Sequence, residues 1–425
     1  MREMKDSGVE WIGEIPKEWK IDKIKYHLKR NEPKNHSNAI VLSVYRDYGV
    51  IPKDSRDDNH NVTSEDTSKY KYVKKGQLVI NKMKAWQGSL AVSDYNGIVS
   101  PAYFIYDFTD EEYNHKYFHY LVRSCYKEEF KRISGGIREG QWDLSPEAFA
   151  NTLALLPPLV EQKYIANYLD IQCSEIDATA EDIQKEISLL EEYKKSVITE
   201  AVTKGLNPDA EMKDSGIEWI GEVPKHWGTI RIGNAFSIRN ERNYLPMEQV
   251  QLLSLYSGKG VFPTGEEGTT NRGNHAQTVA DYKIVKKNDI VVNIILAWMG
   301  SLGISNYNGV VSPAYDVYIP NEEKVVPHYY HYVFRTSGIA NECYRYGRGI
   351  MMMRWRTYSS EFKRIHVPFP PLEEQQQIAD FLDSKCSEID ALIADKKRQR
   401  GILAEYKKSL IYEYVTGKKE VPVHE

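Results

Sequence analysis

The chain has 425 residues, 41% of them hydrophobic and 27% charged, with a formal net charge of −4; this composition suits roughly two to four soluble globular domains and excludes a disordered chain. Its longest apolar runs, such as 290–292 and 294–297, fall far short of the about 20 residues of a membrane span, and the opening MREMKD lacks the apolar stretch of a secretory signal. The single cysteines Cys125, Cys173, Cys343 and Cys386 suit a reduced, cytoplasmic setting and argue against a zinc site or a disulfide scaffold.

Residues 4–19 read MKDSGVEWIGEIPKEW. Strand signals follow at 40–45 (IVLSVY), 77–80 (QLVI) and 89–92, with a turn at Tyr95-Asn96-Gly97. Residues 1–155 therefore read as a compact mixed α/β domain with a strongly β core. Pro157-Pro158, with Glu161 and Gln162 in the first turn, predicts a helix start. A second start is predicted at Ser174, where Asp177 completes a capping box. Ile176, Ile183, Leu190 and Val197 then recur every seven residues, joined by Ala180, Ile187 and Ala201, until Gly205 and Pro208 stop the helix.

From residue 212 the chain repeats itself. Residues 212–227 are identical to 4–19 at 13 of 16 positions, 297–315 to 85–103 at 14 of 19, and 370–390 to 157–177 at 14 of 21; EYKKS at 192–196 returns at 405–409. This is a tandem duplication with a period far too long for a solenoid. Residues 27–76 share little with 235–288, and 124–155 share little with 336–368. A like scaffold with unlike loops suits two modules doing one job on two different targets.

The last helix is expected to carry Ile389, Leu392, Leu403, Tyr406, Leu410 and Tyr414 on one face, interrupted by Lys396 and Gln399, and to stop near Gly417. About 30 residues of seam at 1.5 Å each make a rod of about 45 Å. An amphipathic rod must bury its stripe, and its duplicate is the natural partner. The expected fold class is α+β: two similar mixed α/β domains separated by two long helices, packed as an antiparallel coiled-coil pair with pseudo-two-fold internal symmetry. The expected boundaries are 1–155, 156–211, 212–367 and 368–425. The expected seam is Ile176, Ile183, Leu190, Val197, Ile389, Leu403 and Leu410.

The residues offer no catalytic or metal constellation. Asp209, Glu211 and Lys213 spell a nuclease motif, but their carboxylates sit two residues apart in a linker. Ser257-Gly-Lys-Gly260 lacks the rest of a phosphate-binding loop. His115 and His119 are four apart without the His-Glu-x-x-His pattern, and the second copy has only His331, the counterpart of His119. Charge is unevenly spread: residues 156–211 hold 12 acidic and 5 basic side chains, whereas 1–155 and 212–367 are neutral to basic. The whole-chain charge therefore does not exclude DNA as a ligand.

A Pro-Pro-Leu-x-Glu-Gln helix start used twice, Gly-Glu-Ile/Val-Pro-x-x-Trp at 13–19 and 221–227, and Trp-x-Gly-Ser with Ser-Pro-Ala-Tyr at 86–103 and 298–315 together resemble the specificity subunit of Type I restriction–modification systems, over essentially the whole chain. The resemblance implies two target-recognition domains at 1–155 and 212–367, with helical spacers at 158–205 and 371–417. It implies a subunit without an active site that binds double-stranded DNA and two methyltransferase subunits, and that restriction (motor and nuclease) subunits join. S-adenosylmethionine, ATP and Mg2+ would then belong to those partners, and no cofactor to this chain. The rivals are a freestanding bivalent DNA-binding protein and a protein-binding scaffold.

Base reading needs donors and acceptors on loops that reach a groove. The first copy offers Tyr45, Arg46, Asp47, Tyr48, Lys82, Lys84, Arg138, Gln141 and Trp142. The second offers Tyr256, Lys259, Asn271, Arg272, Asn274, Arg348, Arg354, Trp355 and Arg356. Ile294 and Leu296 stand where the first copy has Lys82 and Lys84. Trp86, Trp298, Tyr103 and Tyr315, present in both copies, are expected in the cores.

Overall fold

The computed structural model describes residues 2–34, 39–46, 48–56, 63, 66–136, 142–256, 260–265, 278–349 and 355–422. It forms two compact units: Met1–Gln184 with Arg398–Glu425, and Lys185–Lys397. Both long helices cross from one unit to the other, so each unit contains part of each helix.

The two units are built alike. In the first, a four-stranded antiparallel sheet runs in the order Leu28–Arg30, Tyr103–Phe108, Leu78–Asn81, Leu90–Val92, with Ile105 opposite Val79. In the second the order is Phe236–Ile238, Tyr315–Pro320, Ile290–Asn293, Leu302–Ile304, with Val317 opposite Val291. The central strands are continuous apolar runs because both of their faces are covered. Beside each sheet lies a two-stranded hairpin, Leu42–Tyr45 with Gly49–Pro52 and Leu253–Tyr256 with Gly260–Pro263. The first strand of each alternates buried and half-buried residues, as a strand with one covered face does.

The abundance of tyrosine is largely a core feature. Tyr117, Tyr126, Tyr329 and Tyr330 are fully buried with Phe118, Phe130, Phe334 and Phe362. Buried hydroxyls need partners, and Tyr117 donates to the Val415 carbonyl at 2.9 Å as Tyr329 donates to that of Val202 at 2.8 Å. The repeated Glu-Gln pair has a structural explanation as well. Glu161 accepts from Trp19 Nε1 at 3.0 Å and Glu374 from Trp227 Nε1 at 2.9 Å, tying each helix start to the module's opening. Gln162 is fully buried, donates to the carbonyls of Pro157 and Glu112, and accepts from the Asn114 N–H, each at 2.8 Å. Gln375 repeats this with Pro370, Lys324 and Val326.

The long helices span Leu159–Lys204 and Leu372–Val415. The first runs unbroken through Ser174, so the capping box expected there is not a start; an apolar face that continues on both sides outweighs one polar residue. In the first unit Asp177 pairs with Lys407 at 2.7 Å and the rings of Tyr168 and Tyr414 lie 4.7 Å apart. In the second, Lys194 pairs with Asp390 at 2.6 Å and Lys396 with Glu186 at 2.5 Å. Residue numbers rise on one helix as they fall on the other, so within each unit the segments run antiparallel. Ile176, Ile187, Ile389 and Leu410 are buried, and Ile183, Leu190, Val197 and Leu403 are half-buried. Leu392 and Tyr406, expected on the same face, are 53% and 52% exposed. They sit three residues from Ile389 and Leu403, on the flank of a seam that instead continues to Ile393 and Lys407. Among the described residues no helix is long and apolar enough to cross a membrane.

Candidate nucleic-acid interface

In the first unit the hairpin turn carries Tyr45, Arg46 and Tyr48; Asp47 lies outside the described residues. The turn is braced from below, since Arg123 donates to the Arg46 carbonyl at 2.6 Å. Gly49 has φ +72°, a conformation that strains other residues, and a Cβ there would meet Arg123 Nη1 at 2.6 Å and Ala91 Cβ at 3.2 Å. The Arg56 guanidinium lies 4.3 Å from the Tyr48 ring and 6.0 Å from that of Tyr45, stacking a cation on two aromatics.

Segment 82–88 borders this turn: a Cβ on Gly88 would lie 3.8 Å from Arg46 Cγ. Lys82 pairs with Asp143 at 2.9 Å, and Lys84 is exposed. Trp86 donates to the Met83 carbonyl at 3.1 Å and its ring sits 5.5 Å from that of Trp142. It is half-exposed, not in the core as its recurrence suggested, and forms an aromatic floor. Tyr45, Arg46, Tyr48, Lys82, Lys84 and Trp142 thus share one edge of the unit. Arg138 and Gln141 lie outside the described residues.

The second unit repeats the edge with different chemistry. Tyr256 ends the hairpin strand 6.3 Å from the Phe262 ring. Trp355 stacks on Tyr344 at 5.2 Å and donates to its carbonyl at 3.0 Å, while Trp298, half-buried and packed against the unit's main core, lies 6.0 Å from Tyr344. Arg348 pairs with Glu361 at 2.8 Å and lies 5.7 Å from the Tyr358 ring; it stands opposite Arg356 in an antiparallel bridge. Tyr103 and Tyr315 are half-buried against the smaller cores beneath each hairpin. Lys259, Asn271, Arg272, Asn274 and Arg354 lie outside the described residues.

His115, His119 and His331 serve packing. His119 Nδ1 accepts from the Val92 N–H at 3.2 Å, and burial, with Arg123 nearby, pushes it down to about 3; His331 on Ile304 is likewise pushed to about 3 by burial. His115 stacks on Phe108 at 4.1 Å. Among the described residues no three His, Cys, Asp or Glu side chains gather as a metal would require, and all four cysteines are buried free thiols. Each edge therefore offers hydrogen-bonding and aromatic groups on a rigid base, the equipment for binding a polar, π-faced ligand. The sequence had marked Trp142 and Trp355, within the divergent stretches 124–155 and 336–368, but not their aromatic partners Trp86 and Tyr344.

Residues 224–399 match the family described as the Type I restriction modification DNA specificity domain. The putative type I restriction enzyme MjaX specificity subunit of Methanocaldococcus jannaschii is 25% identical to the chain, with 96% of each covered. A chain from a solved type I R-M system, studied for its complex assembly and conformational transition, superimposes with a TM-score of 0.68 at 14% identity, covering 95% of this chain and 99% of that one. The HsdS subunit of Thermoanaerobacter tengcongensis gives a TM-score of 0.51 at 15% identity, covering 97% and 100%.

Proposed function

We propose, from the match of residues 224–399 to the Type I restriction modification DNA specificity domain and from a specificity-subunit relative 25% identical over 96% of the chain, that this chain is the DNA-reading subunit of a type I restriction–modification complex, each unit recognising one half of an asymmetric bipartite site. The observation that carries this reading is the pair of like scaffolds with unlike edges: the same hairpin and aromatic floor present different polar groups in the two units. Like frames dock alike on duplex DNA, and unlike side chains ask for unlike bases.

Chemistry is assigned to partner subunits. Two methyltransferase subunits supply S-adenosylmethionine-dependent transfer to adenine N6, and restriction subunits supply ATP- and Mg2+-dependent cleavage. In the first unit Val160, Tyr164 and Ile171 are 64%, 63% and 59% exposed at helical spacing, an apolar stripe that suits docking of a protein partner. The equivalent positions of the second unit are Glu373, Gln377 and Ser384.

Methylome sequencing of the host with and without this gene tests the proposal. One bipartite N6-methyladenine motif should vanish on deletion, and a methyltransferase should co-purify at two copies per chain. An unchanged methylome together with purification of the chain alone would refute the assignment and favour a freestanding binder.

A further inference from the structure

Positions 143 and 356 are equivalents at the root of the two binding edges. Gly135 bridges Asp143 and Arg348 bridges Arg356, with reciprocal backbone hydrogen bonds of 2.9–3.2 Å and 3.0–3.1 Å. The preceding residue is in each case a tryptophan seated on an aromatic neighbour, Trp142 on Trp86 and Trp355 on Tyr344. The following residue donates its N–H to an equivalent carbonyl at 2.9 Å, Leu144 to Lys82 and Thr357 to Ile294. The backbone is thus pinned on both flanks, and the two side chains leave it from the same place.

They carry opposite charge. Asp143 is 43% exposed, pairs with Lys82 at 2.9 Å and has only Gly135 across from it. Arg356 faces Arg348, and directly opposed like charges repel. Glu361 engages Arg348 at 2.8 Å, but Arg356 Nε is buried with no hydrogen-bond partner. Among the described residues, Lys82 and Asp143 balance at the first root, whereas Arg348, Arg356 and Glu361 leave the second with one positive charge. Such an imbalance is relieved by an acceptor from outside.

On the strength of the DNA-reading function proposed above, we infer that residues 143 and 356 make the two half-sites differ at one equivalent position: Asp143, aimed by Lys82, accepts from the amino group of cytosine, and Arg356 donates to guanine. A carboxylate matches cytosine N4 and a guanidinium matches guanine O6 and N7 in the major groove. Lys82 is the positioning residue for Asp143.

The test uses the full-length chain in its host with its methyltransferase partners. Asp143→Ala should relax one base position in one half-site, and Arg356→Ala one position in the other, each with a roughly 5- to 150-fold loss of discrimination in competition binding. Asp143→Asn, which keeps the shape and guards against a folding defect, should shift that position toward adenine. Wild-type motifs with wild-type discrimination in all three variants would overturn the inference. So would a uniform affinity loss with discrimination intact, which marks phosphate contacts. If the wild-type complex itself leaves no bipartite methylation, the DNA-reading premise falls and takes the inference with it; relaxed positions in a functioning complex would support both.

Discussion

Gln162 shows how one buried side chain decides a local structure. It closes three hydrogen bonds at the junction of loop and helix, and Gln375 closes the same three in the second unit. Gln162→Leu keeps the volume but removes three hydrogen bonds, one of them fully buried, so it should cost on the order of 3 kcal/mol; urea unfolding of the full chain measures this, and a loss under about 1 kcal/mol would contradict it. Two half-buried histidines give a second residue-scale expectation. Folded His119 and His331 protonate only near pH 3, whereas an unfolded histidine does so near 6.5. Between those values the unfolded chain binds more protons, so stability falls as pH drops through the window. A His119→Gln, His331→Gln double variant should show a shallower decline in Tm between pH 6.5 and 4 than the parent chain.

At the scale of the element, the coiled-coil seam was legible because a seven-residue repeat survives any uncertainty about neighbours. Its exact stripe on the second helix was not. Leu392 and Tyr406 are apolar yet flank the seam, while Lys396 is half-buried within it, its stem covering apolar surface and its ammonium reaching Glu186. Hydrophobicity alone mis-sorts such positions, since a long polar side chain fills a seam site as well as a leucine. Accordingly Ile187→Ala, at a 2% exposed site, should cost about 2–4 kcal/mol. Leu392→Ala should change stability by less than about 0.5 kcal/mol. Equal losses in chemical denaturation would mean the seam is misplaced. The place of Trp86 resisted prediction for a related reason: a tryptophan repeated in both copies reads as core, and periodicity does not separate a buried ring from one whose face lines an edge.

For the molecule as a whole, the duplication was plain from four collinear matches, but the way the copies combine was not, because no local pattern reports which distant segment completes a core. The second unit seats Trp227 against Gly205 at the end of the first long helix; the first seats Trp19 against Gly417 at the end of the second. Both glycines have positive φ, +77° and +70°, and form the same junction. In one case a short exposed segment, 206–209, connects the partners; in the other the contact closes between residues 398 positions apart. The tether is therefore dispensable to the junction. A protease nick within 206–209 should yield two fragments that co-elute at the parent volume in gel filtration, since residues on either side of the cut contribute to both units. Heredity by tandem copying has thus left a polypeptide whose continuity at that bend is an accident of genetic linkage, while the cohesion of each unit rests on the same packed junction.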